Sequence, residues 1–205
     1  MTQHAIIYLH GFNSASLDRE GKLLTRKSKL LVLQEFCTQN AVVLHTPNVD
    51  YRDFEKLIAD SLLAWKQFVE LGYQVTLMGS SMGGFSSEYL ALKTGCPAIM
   101  INPAISPSSL LPYFLGTNSN PDTGLVYAWE PQHCQQYVPF EQEISDNFLN
   151  IKRTLLLDRA DELLDTANTI AKYQASSEIV AFDGGSHSFE HMQEALAHIA
   201  PVILR

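Results

Sequence analysis

Basic residues are scarce in this chain. Against 22 Asp and Glu there are 14 Lys and Arg, a formal net charge of −8. That balance excludes a surface built to neutralise nucleic-acid phosphates. Cysteine is scarcer still: Cys37, Cys96 and Cys134 are odd in number and far apart. They make neither a disulfide framework nor a Cys-x-x-Cys zinc site, and they fit a reducing compartment. No apolar run comes near the roughly 18 residues that a membrane span needs. Met1–His4 lacks the basic region of a signal peptide, and the apolar stretch Ala5–Leu9 is too short for one. The expected setting is the cytoplasm, with no nucleic-acid and no membrane partner. Nor is there a P-loop: Gly21-Lys22 is followed by Leu23 and has no upstream glycine.

What is present is enough for a core. A chain of 205 residues, 46% hydrophobic and 18% charged, fits one globular domain. Short continuous apolar runs recur at Ala5–Leu9, Ala41–His45, Gln74–Gly79, Ala98–Asn102, Thr154–Asp158 and Glu178–Phe182, the signature of buried parallel strands. Between them lie stretches of helical periodicity: Leu17–Cys37, Asp53–Leu71, Gly84–Lys93, Glu162–Gln174 and Phe189–Leu196. The alternation predicts an α/β fold, a roughly six-stranded parallel sheet with helices on both faces. Arg19, Lys22, Arg26, Lys27 and Lys29 read as the solvated face of the first helix. One segment breaks the rhythm. Residues 102–150 hold six of the nine prolines and seven aromatic residues, so they are expected to form a cap-like insertion in a single domain spanning 1–205.

Sites in such sheets lie beyond the carboxyl ends of the strands. After the third predicted strand comes Gly79-Ser80-Ser81-Met82-Gly83-Gly84, a G-x-S-x-G in strand–turn–helix context. The tight turn needs small residues two before and two after the nucleophile, which selects Ser81 over Ser80. A serine hydroxyl requires a base. The best candidate is His187, in the loop after the last strand; His4, His10, His45, His133 and His198 lack a matching context, and His191 is the rival. The base requires an orienting carboxylate. Asp161, after the fifth strand, suits that role or a helix N-cap, with Asp158 as the alternative. The order Ser81, Asp161, His187 is that of α/β-hydrolases. Oxyanion donors are expected from the N–H of Met82, directly after Ser81, and of Phe12, in the loop after the first strand. No cofactor is implied.

These motifs carry a resemblance. His10-Gly11-Phe12-Asn13-Ser14, the Gly79–Gly84 turn, Asn102-Pro103-Ala104, Asp161-Glu162-Leu163-Leu164-Asp165 and Gly184-Gly185-Ser186-His187 resemble the small bacterial YqiA/YcfP-type esterases. So do Tyr113-Phe114-Leu115-Gly116 and Asn120-Pro121-Asp122-Thr123-Gly124. The resemblance implies an α/β-hydrolase fold, carboxylic-ester hydrolysis, and Ser81, Asp161 and His187 as nucleophile, acid and base. Where relatives commonly carry a glycine before the acid, this chain has Arg159-Ala160-Asp161-Glu162, and Asp158 stays open as the acid.

Two other readings compete. His187-Ser188-Phe189-Glu190-His191 is an H-x-x-E-H pattern, which on a helix would put two zinc ligands on one face. A hydrolase scaffold can also serve as a non-catalytic binding module. The substrate expected from the sequence is a small acyl ester, with acyl thioesters open to the same machinery. No Lys or Arg occurs between Lys93 and Lys152, so a pocket lined by the insertion would favour uncharged esters over acyl-CoA thioesters.

Overall fold

The computed structural model describes residues 2–25 and 28–205; Arg26 and Lys27 of the basic cluster lie outside them. The six apolar runs form one parallel sheet. Its strands are β1 (Gln3–Leu9), β2 (Val42–His45), β3 (Tyr73–Ser80), β4 (Ala98–Ile101), β7 (Arg153–Asp158) and β8 (Glu178–Phe182), in the order β2-β1-β3-β4-β7-β8. Burial follows the two-residue period of a strand. Ile7 and Leu9 pack into the core on one face, Ile6 and Tyr8 into the core on the other, all nearly inaccessible. Helices α1 (Ser28–Gln39) and α8 (Met192–Ile203) cover the second face. Helices α2 (Phe54–Glu70), α3 (Met82–Thr94) and α7 (Thr166–Tyr173) cover the first. Truncating a residue such as Leu9 to alanine would cost about 2–5 kcal/mol.

Three helical expectations shift. Residues 17–25 are a loop, and α1 begins only at Ser28. The Asp18 carboxylate accepts the N–H groups of Glu20 and Lys22, and Gly21 takes φ +79°. Such Asp-Gly turn chemistry competes with helix. Asn48 closes the loop, accepting from the N–H of Ser16 and of Leu17. The helix expected from Glu162 starts at Thr166, capped by the Asp165 carboxylate on the Asn168 N–H. The last helix starts at Met192 rather than at Phe189.

Residues 102–150 are far from featureless. Five short helical pieces are joined to an antiparallel hairpin: α4 (Pro107–Leu110), a 3-10 turn Leu111–Phe114, strands β5 (Gly116–Ser119) and β6 (Val126–Trp129), α5 (Pro131–Gln135), α6 (Val138–Asp146) and a 3-10 turn Phe148–Asn150. The segment's aromatics meet the rest of the chain at three places, one of them Phe148 against Tyr173 with ring centroids 5.3 Å apart. Phe12 packs edge-on against Trp129 with ring centroids 4.8 Å apart and against Phe114 at 5.3 Å. Phe54, at the start of α2, meets Tyr137 and Phe140 at 4.8 and 4.7 Å.

Candidate active site

The G-x-S-x-G turn is built by close packing. Strand β3 ends at Ser80 and α3 starts at Met82, leaving Ser81 alone between them with φ 56° and ψ −120°. A non-glycine residue there stores about 1–3 kcal/mol, and such strain collects at functional sites. The flanking glycines explain what holds it. A Cβ on Gly79 would lie 2.0 Å from the Gly83 carbonyl oxygen, and one on Gly83 would lie 1.9 Å from the Leu9 carbonyl oxygen. The backbones of β1, β3 and α3 touch where any larger residue would hold them apart. Ser81 is locked in by its own amide bonds: its N–H donates to the Ile101 carbonyl, and its carbonyl accepts from Gly84 and Ala104.

The β1–α1 loop crosses directly over this turn. A Cβ on Gly11 would stand 3.1 Å from the Ser81 Cβ. His10 is buried and holds the loop from beneath. Its Nδ1 faces the Gly11 carbonyl at 2.8 Å, and its Nε2 accepts from the Val49 N–H at 3.0 Å. The ring therefore has a fixed tautomer, protonated on Nδ1. Further along, the hairpin grips the loop. Asn13 donates to Asn118 at 2.9 Å, the Ala15 N–H donates to Asp122 at 2.9 Å, and Asn120 donates to the Ser14 carbonyl at 2.8 Å. Phe12 is thus fixed by ring packing on one side and by loop hydrogen bonds on the other.

His187 sits in a glycine-rich loop after β8. Its Nδ1 lies 2.9 and 3.1 Å from the two Asp161 carboxylate oxygens. A carboxylate only accepts, so Nδ1 carries the proton and Nε2 is the basic nitrogen. The Asp161 carboxylate is 1% exposed. Burial alone would raise its pKa, but the hydrogen bond and charge of His187, with the Leu164 and Leu163 N–H groups, outweigh it and hold Asp161 below the usual carboxylate value. Those two amides donate to one Asp161 oxygen at 2.9 Å each. The resulting turn resembles an N-cap with no helix behind it, since α7 starts only at Thr166. The His187 N–H donates to Glu162 at 2.9 Å.

Asp158 has other partners. It is fully buried at the end of β7, and its carboxylate accepts from the N–H groups of Ser186 and Glu190 and faces His191 Nδ1 at 2.7 Å. Gly185 is pressed against it: a Cβ there would fall 1.8 Å from Asp158 Oδ2. Asp158 thus anchors both ends of the segment that carries His187, and it does not touch the imidazole of His187. The H-x-x-E-H segment is not helical. His187 lies in the loop, His191 is the residue preceding α8, and each imidazole faces its own aspartate. Among the described residues no group of three or more His, Cys, Asp and Glu side chains is placed to hold a metal ion.

Ser81 and His187 line one cavity of about 350 Å3. Its wall also includes Tyr8, Gly11, Phe12 and Lys29. Two sequence expectations change here. None of the described lining residues comes from 102–150, which reaches the site by holding the loop of Phe12, by the Ala104 N–H on the Ser81 carbonyl, and through Asn102. The basic cluster, read as a solvated face, is partly engaged: Arg19 donates to the Thr123 carbonyl, and Lys29 donates to Ser80 Oγ at 2.7 Å. Lys29, the second residue of α1, thereby reaches the elbow. Asn102, just past β4, ties that strand to the end of β7 and to the loop after β8. Its Oδ1 accepts the Asp158 N–H, and its Nδ2 donates to the Ser186 carbonyl, both at 2.9 Å.

The same architecture occurs in solved structures. Est1E from Butyrivibrio proteoclasticus superposes with a TM-score of 0.74 at 15% identity, over 99% of this chain and 88% of that one. A monoacylglycerol lipase of Paleococcus ferrophilus gives 0.70 at 14% identity, over 99% and 96%. An esterase of Pyrococcus furiosus gives 0.67 at 16%, over 100% and 82%. At such identities the likeness establishes the fold, that of the α/β-hydrolases. Sequence comparison reaches further: the model of the uncharacterised protein family UPF0227 matches residues 5–203, nearly the whole chain. By that match, and in keeping with its YqiA-type motifs, this chain is a member of the UPF0227 family, and it has the α/β-hydrolase fold.

Proposed function

We propose that this protein is a serine esterase acting on small acyl esters through Ser81, His187 and Asp161. The observation that carries the reading is the opening of the strained Ser81 and of an Asp161-bound His187 onto one cavity. The Ser81 hydroxyl attacks the ester carbonyl while His187 Nε2 takes its proton. Asp161 keeps the other nitrogen protonated and stabilises the imidazolium. The Met82 N–H, in the unpaired first turn of α3, and the Phe12 N–H stabilise the oxyanion. His187 then protonates the departing alcohol. Water, deprotonated by the same imidazole, releases the acid and restores Ser81. The net reaction consumes one ester and one water and forms one acid and one alcohol.

The neighbouring structures support this chemistry, being esterases and lipases by name, one of them with ferulic acid bound. No helix among the described residues is long and apolar enough to cross a membrane. Together with the three free thiols of Cys37, Cys96 and Cys134, this supports action on dissolved substrates in a reducing, cytoplasmic setting. Segment 102–150 is in this reading an insertion of the single domain that braces the Phe12 loop. The test is covalent labelling. A fluorophosphonate should add one equivalent to the wild type, mapped to Ser81, and Ser81→Ala should abolish both label and 4-nitrophenyl butyrate hydrolysis. A folded wild type that takes no label overturns the reading.

A further inference from the structure

The protein carries a net charge of −8, yet the cavity that holds Ser81 has the opposite character. Among the described residues lining it, Lys29 supplies the one formal positive charge, and there is no Asp or Glu. The carboxylates nearest the chemistry are turned away from it. Asp161 is covered by His187, and Asp158 is enclosed by the loop 185–191. Lys29 is held rather than waving in solvent: its ammonium donates to Ser80 Oγ, one residue before Ser81, at 2.7 Å. The remaining wall mixes the hydroxyls of Ser14, Ser28 and Ser188 with the apolar Phe12, Ala15 and Leu30. A short acyl chain has Phe12 and Leu30 to lie against, and a small anion carried beside it meets a fixed cation and hydroxyl donors.

We infer that the substrates are esters bearing an anionic group, such as a carboxylate, a few bonds from the scissile carbonyl, and that Lys29 selects them. The inference rests on the esterase reading and makes it specific. It replaces the preference for uncharged esters expected when the insertion was taken to line the pocket. A cation at the edge of a partly enclosed site adds attraction that salt weakens.

The experiment compares matched esters within each enzyme, so that any general loss of activity cancels. One pair carries the anion on the alcohol half: 4-carboxyphenyl butyrate against phenyl butyrate. The other carries it on the acyl half: monoethyl glutarate against ethyl pentanoate. In the wild type, kcat/KM for the anionic member of at least one pair should exceed that of its partner by about tenfold, the value of one well-placed charge. The responding pair tells which half of the ester faces Lys29. Lys29→Met should bring the ratio to about one, Lys29→Arg should largely keep it, and 0.5 M NaCl should shrink it. Should Lys29→Met fail to fold, the Arg variant and the salt series on the wild type still decide. A wild-type ratio at or below one for both pairs overturns the inference and leaves the esterase reading standing. So does a ratio unchanged in Lys29→Met, since a lysine that merely props Ser80 would slow both members alike. Absence of hydrolysis of every ester, with no fluorophosphonate label, removes both.

Discussion

Two histidine–aspartate pairs stand side by side in this molecule. His187 faces Asp161 at 2.9 Å, and His191 faces Asp158 at 2.7 Å. Both use Nδ1, and in both the carboxylate is essentially buried while the imidazole is 20–25% exposed. As isolated dyads they are chemically equivalent. Their surroundings separate them. His187 opens onto the cavity of Ser81, whereas the His191 ring stacks on Phe182 at 4.9 Å. Asp161 takes its other hydrogen bonds from its own turn. Asp158 takes them from Ser186 and Glu190, either side of His187. A dyad is therefore assigned its role by where the second imidazole nitrogen looks and by what else the carboxylate holds.

That contrast can be broken by mutation, and activity should show the largest difference. Asp161→Asn should lower kcat by about 10⁴-fold, because an amide in place of Oδ2 presents N–H to His187 and favours the wrong tautomer. Asp158→Asn should cost far less in the same assay. A reversal of the two effects in steady-state kinetics would move the acid to Asp158.

Stability should rank the same two variants in the opposite order. Asp161→Asn keeps an oxygen for the Leu163 and Leu164 amides. In Asp158→Asn one carboxylate oxygen becomes an NH₂ group facing either His191 or the Ser186 and Glu190 amides, a loss of about 1–3 kcal/mol for a buried donor left unpaired. Urea titration of both proteins checks this. Equal midpoints would deny Asp158 its anchoring role.

A neighbouring glycine pair offers a finer cut. Gly184 and Gly185 both have positive φ, +80° and +74°, so alanine at either is strained by about 1–2 kcal/mol. Nothing lies within 4 Å of a Cβ on Gly184, whereas one on Gly185 meets Asp158 Oδ2. Gly185→Ala should therefore lose hydrolysis as well as stability, and Gly184→Ala stability alone, as melting and turnover measured together would reveal.

The smallest effect is on pH. Hydrogen bonding to Asp158 raises the His191 pKa above 6.5 despite some desolvation, and the charges of Asp158, Glu194 and Glu190 add to it. A raised folded-state pKa stabilises the protein fully below about 6.5, and the benefit fades as pH rises through the raised value. The melting-temperature gap between wild type and His191→Gln should be wider at pH 5.5 than at pH 9. A gap independent of pH would show that His191 acts only by packing.

How much of this was legible beforehand depends on whether the cause was local. The six strands were readable because a fully buried parallel strand is a continuous apolar run, and Ile6 to Leu9 or Ala98 to Ile101 admit little else. The elbow was readable because its sterics act between residues 79 and 83. The start of α1 was not, since the amides of Ser16 and Leu17 are satisfied by Asn48, a partner supplied from beyond the helix. Asp161 was preferred by its loop position with Asp158 kept as the alternative, because the two sit three residues apart at the end of one strand and only the path of the loop 185–191 decides which carboxylate meets which histidine. The position of Lys29 depended on both these things, on where α1 begins and on how the β1–α1 loop crosses the elbow.

The bonds from Asn13, Ser14 and Ala15 to Asn118, Asn120 and Asp122 join residues more than 100 positions apart, and this separation sets an order of assembly. Contacts so distant in sequence are the slow ones to form. On the ribosome the elbow strand, its helix and the first glycine loop emerge well before the hairpin that grips that loop. In the esterase reading an emerging chain therefore carries Ser81 early and the brace of its proposed oxyanion arm late, with Phe12 uncovered until Phe114 and Trp129 arrive. On that reading hydrolytic competence waits until most of the polypeptide has been made.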